Sequence, residues 1–184
     1  MGYPADLLST RTVIKPGLFA VIPKDGLVNN VLPFLTGCRT SIVASPKMGA
    51  SFVQYVSYVE PNGGTNAPFA NAEKEESFLY VISGKIDAET EGKTYHLTEG
   101  GYLYAAPGKG ICFTNVGDAE AKILLYKQLY IPCEGKQPYA YSGNVNEIAY
   151  SDYDGMANVH IKDLLPVDQN FDMNMHILSF EPGG

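Results

Sequence analysis

Tryptophan is absent from this chain of 184 residues, and cysteine and histidine are scarce, with three of each. Cys38, Cys112 and Cys133 are scattered, odd in number and form no C-x-x-C pair, so neither a disulfide framework nor a zinc site is expected from them. They read as ordinary buried thiols in a reducing cytoplasm. No run of Lys or Arg occurs, and the formal net charge is −7, which leaves nothing to neutralise a phosphate backbone; a nucleic-acid partner is not expected. No stretch reaches the ~20 apolar residues that span a bilayer, so no membrane partner is expected either. The start, Met1-Gly2-Tyr3-Pro4-Ala5-Asp6, has neither the basic nor the apolar region of a signal peptide, and Asp6 replaces the Ser or Thr that a myristoylation site prefers. A Gly-rich phosphate loop, a nucleophile–base pair and a long amphipathic helix are likewise missing.

What the chain has in quantity is turn chemistry and aromatic residues: 19 Gly, 12 Pro, 13 Tyr and 8 Phe, with 45% of all residues hydrophobic. That mixture favours short strands over long helices. The stretch 77–115 carries the pattern most clearly, with apolar runs cut at close intervals by Gly84, Gly100-Gly101, Pro107-Gly108 and Asn115. Glu91-Gly92 between two alternating segments reads as a hairpin. Further strands are expected over 12–15, 18–22, 27–32, 41–44, 52–60, where Pro61 closes the strand, and 172–181. Residues 1–10 read as a helical or irregular arm, and 161–165 as a helical turn or two. Glu73-Lys74-Glu75-Glu76 reads as a solvated charged run. The class is all-β, an antiparallel sandwich or barrel.

A short internal repeat organises the chain. Tyr58-Val59-Glu60-Pro61-Asn62-Gly63-Gly64 and Ser179-Phe180-Glu181-Pro182-Gly183-Gly184 are the same kind of strand exit, 121 residues apart. Four parts follow: an N-terminal strand arm (1–39), a barrel (40–130), a connector (131–170) and the first strand of a second, incomplete barrel (171–184).

The central stretch resembles a cupin, a small jelly-roll barrel. Gly100-x5-Ala106-Pro107-Gly108-x2-Ile111-x3-Asn115 follows the spacing of the family's second motif, with Ile111 at the His position. Gly84 matches the last Gly of the first motif, whose Glu position falls on Ser77 and whose two His positions fall within 70–73. All four customary metal ligands are replaced, and Glu73 alone does not make a site, so the first barrel is expected to be metal-free and supporting. Several segments are more specific. Lys47-Met48-Gly49-Ala50-Ser51-Phe52-Val53, Phe78-Leu79-Tyr80-Val81-Ile82-Ser83-Gly84 and Phe171-Asp172-Met173-Asn174-Met175-His176-Ile177-Leu178-Ser179-Phe180 are similar to the bicupin (S)-ureidoglycine aminohydrolase family. That resemblance implies Mn²⁺-dependent hydrolysis of ureidoglycine to ureidoglycolate and ammonia in purine breakdown. The manganese acts as Lewis acid and template in the second barrel, held by ligands that lie beyond Gly184. The chain alone is therefore expected to hold no metal and to be inactive. The alternative is a non-catalytic cupin module for small-ligand binding or assembly.

Of the three histidines, His96 reads as a rim residue and His160 has no assigned role. His176 shares a strand face with Asn174 and Leu178 by the period of two, and in a complete second barrel that face would meet the substrate. Tyr102 and Tyr104 also share a face, with core packing the plainer reading. The last strand is expected to expose Met173, Met175, Ile177 and Phe180, and so to drive self-association or homo-oligomer formation.

Overall fold

The computed structural model describes residues 11–183. Fourteen strands account for its regular structure, apart from 3₁₀ turns at Lys24–Gly26, Pro46–Met48 and Val145–Glu147. Strands β1 (Val13–Lys15) and β2 (Phe19–Val21) form a separate hairpin. The main sheet contains β3 (Leu35–Ala44), β4 (Phe52–Thr65), β5 (Glu75–Ser83), β6 (Ile86–Thr90), β7 (Lys93–Leu97), β8 (Gly101–Ala105), β9 (Cys112–Asn115), β10 (Ala121–Leu129) and β11 (Tyr141–Asn144). The order is β11-β8-β5-β10-β4-β9-β6-β7, with β3 added against β4, and the sheet curls into a nearly closed barrel. A second sheet of three strands follows: β12 (Ser151–Tyr153), β13 (Met156–Asp163) and β14 (His176–Phe180). Among the described residues no helix is long and apolar enough to cross a membrane.

Strand alternation decides what lies inside. Tyr55, Leu125, Leu79 and Leu103 are cross-strand neighbours on β4, β10, β5 and β8, and all belong to the barrel interior with Phe69, Ile86, Ile111 and Phe113. One residue along, the row Gln54, Tyr126, Phe78, Tyr104, Tyr141 faces outward. Phe78, Tyr102 and Tyr104 on that outer face are nonetheless buried, because Val145, Leu164, Leu165 and Met173 close over them. Strand β8 is accordingly buried at every position. Gly84, at φ +97°, lets the chain leave β5 directly over Ala121, whose Cβ stands 2.6 Å from where a side chain would begin.

Several expectations need correction. Residues 27–32 form no strand, only a bridge from Asn30 to Thr40. β4 does not stop at Pro61 but runs to Thr65, because the pairing with β3 jumps from Cys38↔Val59 to Thr36↔Gly64 and leaves Pro61 in a bulge that needs no ladder donor. Residues 161–163 continue strand β13 rather than turning helical, since Ile161 and Lys162 pair with Leu178 and Ile177 of β14. Within 131–170, β11 joins the main sheet beside β8. Of the four apolar residues expected to be exposed on the last strand, Met173 is buried and Met175 and Ile177 half-buried against the barrel's outer face, and Phe180, 62% exposed, stands out. Cys38 and Cys112 are half-buried and Cys133 is exposed rather than buried; burial pushes the Cys38 thiol up. The arm read over 1–10 lies outside the described residues.

Candidate functional site

Of the cupin ligand positions, Ser77 and Ile111 are buried on the barrel's inner face, and within 70–73 only Ala70 is buried while Asn71, Ala72 and Glu73 are exposed. Phe69 and Ile111 exchange backbone hydrogen bonds, 2.9 Å each way, which pins the loop after β4 across the barrel. The Phe69 ring then packs edge-on against Tyr55 and tilted against Phe34, each 5.8 Å between centroids. Ser77 stands inside with its hydroxyl buried and without a partner among the described residues. Among the described residues no three His, Cys, Asp or Glu side chains converge to hold a metal ion. The residues present do not fit manganese here: the sec-butyl group of Ile111, the methyl of Ala70 and the single hydroxyl of Ser77 offer no set of anionic or imidazole donors. Asn115, the last residue of the second motif, has a structural task. Its Nδ2 donates to the carbonyls of Val59 and Ala119, both at 2.8 Å, and its Oδ1 accepts from the Gly117 N–H at 2.9 Å. It ties the β9–β10 turn to β4.

Polar chemistry is on the outside of the same sheet. Glu76 is fully buried there. Its Oε2 accepts from the Tyr104 hydroxyl at 2.5 Å and its Oε1 from Gln128 Nε2 at 2.7 Å. Gln128 Nε2 also donates to Asp172 Oδ2 at 3.4 Å, and that oxygen accepts the Ile131 N–H at 3.1 Å. The network thus joins β5, β8 and β10 to the segment leading into β14. Burial raises the Glu76 carboxyl above its ordinary value, against the lowering pull of its two donors. Burial and the neighbouring Glu76 carboxylate raise the Tyr104 phenol, and burial lifts Tyr102 to about 12.

Beside this network a cleft of about 370 Å³ opens between the outer face of the barrel and residues 172–176. Its barrel wall is Phe52, Gln54, Tyr126 and Gln128. Asn174 and His176 border it, with Asn174 Oδ1 and His176 Nδ1 3.5 Å apart, while Leu178 lies outside it. Asn174, His176 and Leu178 do share one face of the strand and are exposed, whereas Met173, Met175 and Ile177 turn the other way. The other histidines are elsewhere: His96 is exposed with Asp87 Oδ1 at 2.7 Å, and His160 is between Asp152 and Glu181 at 3.3 and 3.5 Å.

The solvated reading of the acidic run holds for Glu73 and Lys74 only. Glu75 is half-buried and paired with Lys127 at 2.8 Å, and Glu76 is in the core. The signal was present in the period of two: Glu76 falls in register with Phe78 and Tyr80, and Glu75 with Ser77 and Leu79.

A barrel of this topology, with these motif spacings, defines a cupin, and residues 56–126 match the Cupin domain family. The chain is 48% identical to (S)-ureidoglycine aminohydrolase of Escherichia coli strain K12 over 182 residues, covering 99% of this chain and 69% of the relative. The crystal structure of protein Ylba from E. coli superposes with a TM-score of 0.87 at 46% identity, over 100% of this chain and 72% of that one. A glyoxylate induced protein from Pseudomonas aeruginosa gives a TM-score of 0.83 at 27% identity, over 100% and 69%. The chain belongs to the (S)-ureidoglycine aminohydrolase family.

Proposed function

We propose that this chain forms the supporting barrel, and the start of the working barrel, of an enzyme that hydrolyses ureidoglycine, its small-molecule substrate, to ureidoglycolate and ammonia. The observation that carries the reading is the 48% identity spread over nearly the whole chain. The internal repeat extends it to particular residues. A shift of 121 residues brings Glu181 onto Glu60, and with it Asn174, His176 and Leu178 onto Val53, Tyr55 and Ser57. In the first barrel Tyr55 and Ser57 are buried and Val53 packs against the interior. Asn174, His176 and Leu178 are then the inward-facing, substrate-binding residues of the second barrel. Met173, Met175 and Ile177 are its outward residues, already seated on the first barrel. The manganese that the family resemblance implies has no donor set among the described residues. Its ligands in this reading lie outside them, and the chain by itself is inactive.

Ammonia release from ureidoglycine with added Mn²⁺ tests the proposal, using this chain alone and this chain fused to the part of the E. coli relative that it does not cover. The fused protein is expected to release ammonia and the chain alone is not. His176→Ala in the fusion is expected to lower kcat/KM by about 10- to 100-fold. Activity of the unfused chain, or a fusion indifferent to His176, contradicts the assignment.

A further inference from the structure

The cleft outside the barrel has a definite hydrogen-bonding polarity. Gln128 commits both hydrogens of its Nε2 to carboxylates, Glu76 at 2.7 Å and Asp172 at 3.4 Å. Its amide is thereby fixed, and its Oε1 is left as an acceptor. Gln54 is oriented in the same sense, since its Nε2 donates to the Tyr126 hydroxyl at 2.8 Å and its Oε1 has no partner among the described residues. Asp172 uses Oδ2 for the Ile131 N–H and for Gln128, and Oδ1 has no partner among the described residues. Three oxygen acceptors, one of them on a carboxylate, therefore border one cleft of about 370 Å³. No Lys or Arg lines it. Phe52 and Tyr126 complete the wall with rings 6.2 Å apart and inclined at 48°.

Acceptors held in place, one negative charge and two aromatic rings form a receptor for a donor-rich cation. We propose that this cleft binds a small organic ammonium, a primary amine carrying further N–H donors, with Asp172 as its counter-ion and Gln128 and Gln54 as acceptors. A carboxylate or phosphate of similar size meets like charge at Asp172 and finds N–H donors only on the Asn174 and His176 side of the cleft, and is bound more weakly. Glu76 is the positioning residue: it is buried behind Gln128 and holds the amide so that its oxygen remains free. The inference concerns the outer face of the first barrel and does not depend on the aminohydrolase activity.

Methyl NMR of the 184-residue chain tests it, because Met173 and Met175 line the cleft and their methyl groups report on its occupancy. The probes are glycinamide, a cationic amine with an amide, and N-carbamoylglycine, which is close in size but has a carboxylate and no amine. Glycinamide is expected to shift both methyls saturably, and N-carbamoylglycine to bind more weakly. Asp172→Asn keeps an oxygen for the Ile131 N–H but removes the charge, and is expected to weaken glycinamide binding by about tenfold or more. Gln54→Leu removes an acceptor that has no part in the Glu76–Asp172 network, and weakens it about fivefold. Absence of a saturable shift, an equal response to N-carbamoylglycine, or affinity unchanged in both variants overturns the proposal.

Discussion

Two faces of one sheet, built from alternate residues of the same strands, have opposite chemistry. The inner row Tyr55, Leu125, Leu79, Leu103 is closed and nearly all hydrocarbon. The outer row Gln54, Tyr126, Phe78, Tyr104, Tyr141 is aromatic and polar, and beside it are a buried carboxylate and an open cleft. In a barrel whose motif spacings would place a metal inside, the inner row is packing, and the buried carboxylate with its hydrogen-bond network is outside.

The largest effect expected from breaking this contrast comes at Phe69. Its ring fills the space across from Ile111, and its backbone is held by two hydrogen bonds that a substitution leaves in place. Phe69→Ala should cost about 3–5 kcal/mol in urea unfolding, by lost transfer free energy and a cavity that a closed barrel cannot collapse. The outer face should not feel it: glycinamide shifts at Met173 and Met175 should persist in the surviving native fraction. A small loss would mean that the interior is loosely packed and that the two faces differ less than their burial suggests.

Much of this was legible in the sequence, and the parts that were not share a cause. The loss of metal ligands at Ile111 and Ser77 follows from the cupin resemblance, and the strands of the barrel and the turns at Gly84 and Gly100 follow from residue type and spacing. So does the shared face of Asn174, His176 and Leu178, since a period of two needs no partner to be read. What escaped was burial on the outside of a sheet. Glu76 looks like part of a charged surface until Leu164, Leu165 and Met173, distant in sequence, close over Phe78 and Tyr104. The bulge that carries β4 past Pro61 is equally invisible without β3 beside it. The helical reading of 161–163 failed because pairing with β14 outweighed a local preference worth only tenths of a kcal/mol per residue.

A second, smaller effect distinguishes the faces by pH. Glu76 has its carboxyl raised in the folded chain, chiefly by burial. A raised carboxyl binds its proton more tightly when folded, so its contribution to stability is complete below the unfolded value of 4.5 and is lost as pH rises through the folded value. Glu76→Gln abolishes this titration while keeping an oxygen for Gln128. The stability difference, native chain minus variant, should therefore fall as pH rises above 4.5, by about 1.4 kcal/mol per pH unit inside the window, and then level off. Urea unfolding of both proteins between pH 4 and 8 reads it directly. A difference that rises with pH would mean that Tyr104 and Gln128 outweigh burial.

The smallest effect is the most informative about the interior, because it concerns the residue at the family's metal-ligand position. Ser77 is wholly buried and its hydroxyl has no hydrogen-bond partner among the described residues, with Ala105 opposite it on β8. A buried hydroxyl without a partner costs free energy that a methyl group does not. Ser77→Ala should leave the fold unchanged and alter stability by no more than about 1 kcal/mol, in the stabilising direction, with the added apolar character outweighing the lost oxygen. Two residues away on the same inward row, Leu79→Ala removes buried methyl groups and should cost about 2–5 kcal/mol. If Ser77→Ala instead destabilises the chain by as much as Leu79→Ala does, the hydroxyl has a partner, such as water held inside the barrel. The interior would then be polar at the one position where the cupin pattern calls for a ligand, and the contrast between the two faces would hold for packing but not for chemistry.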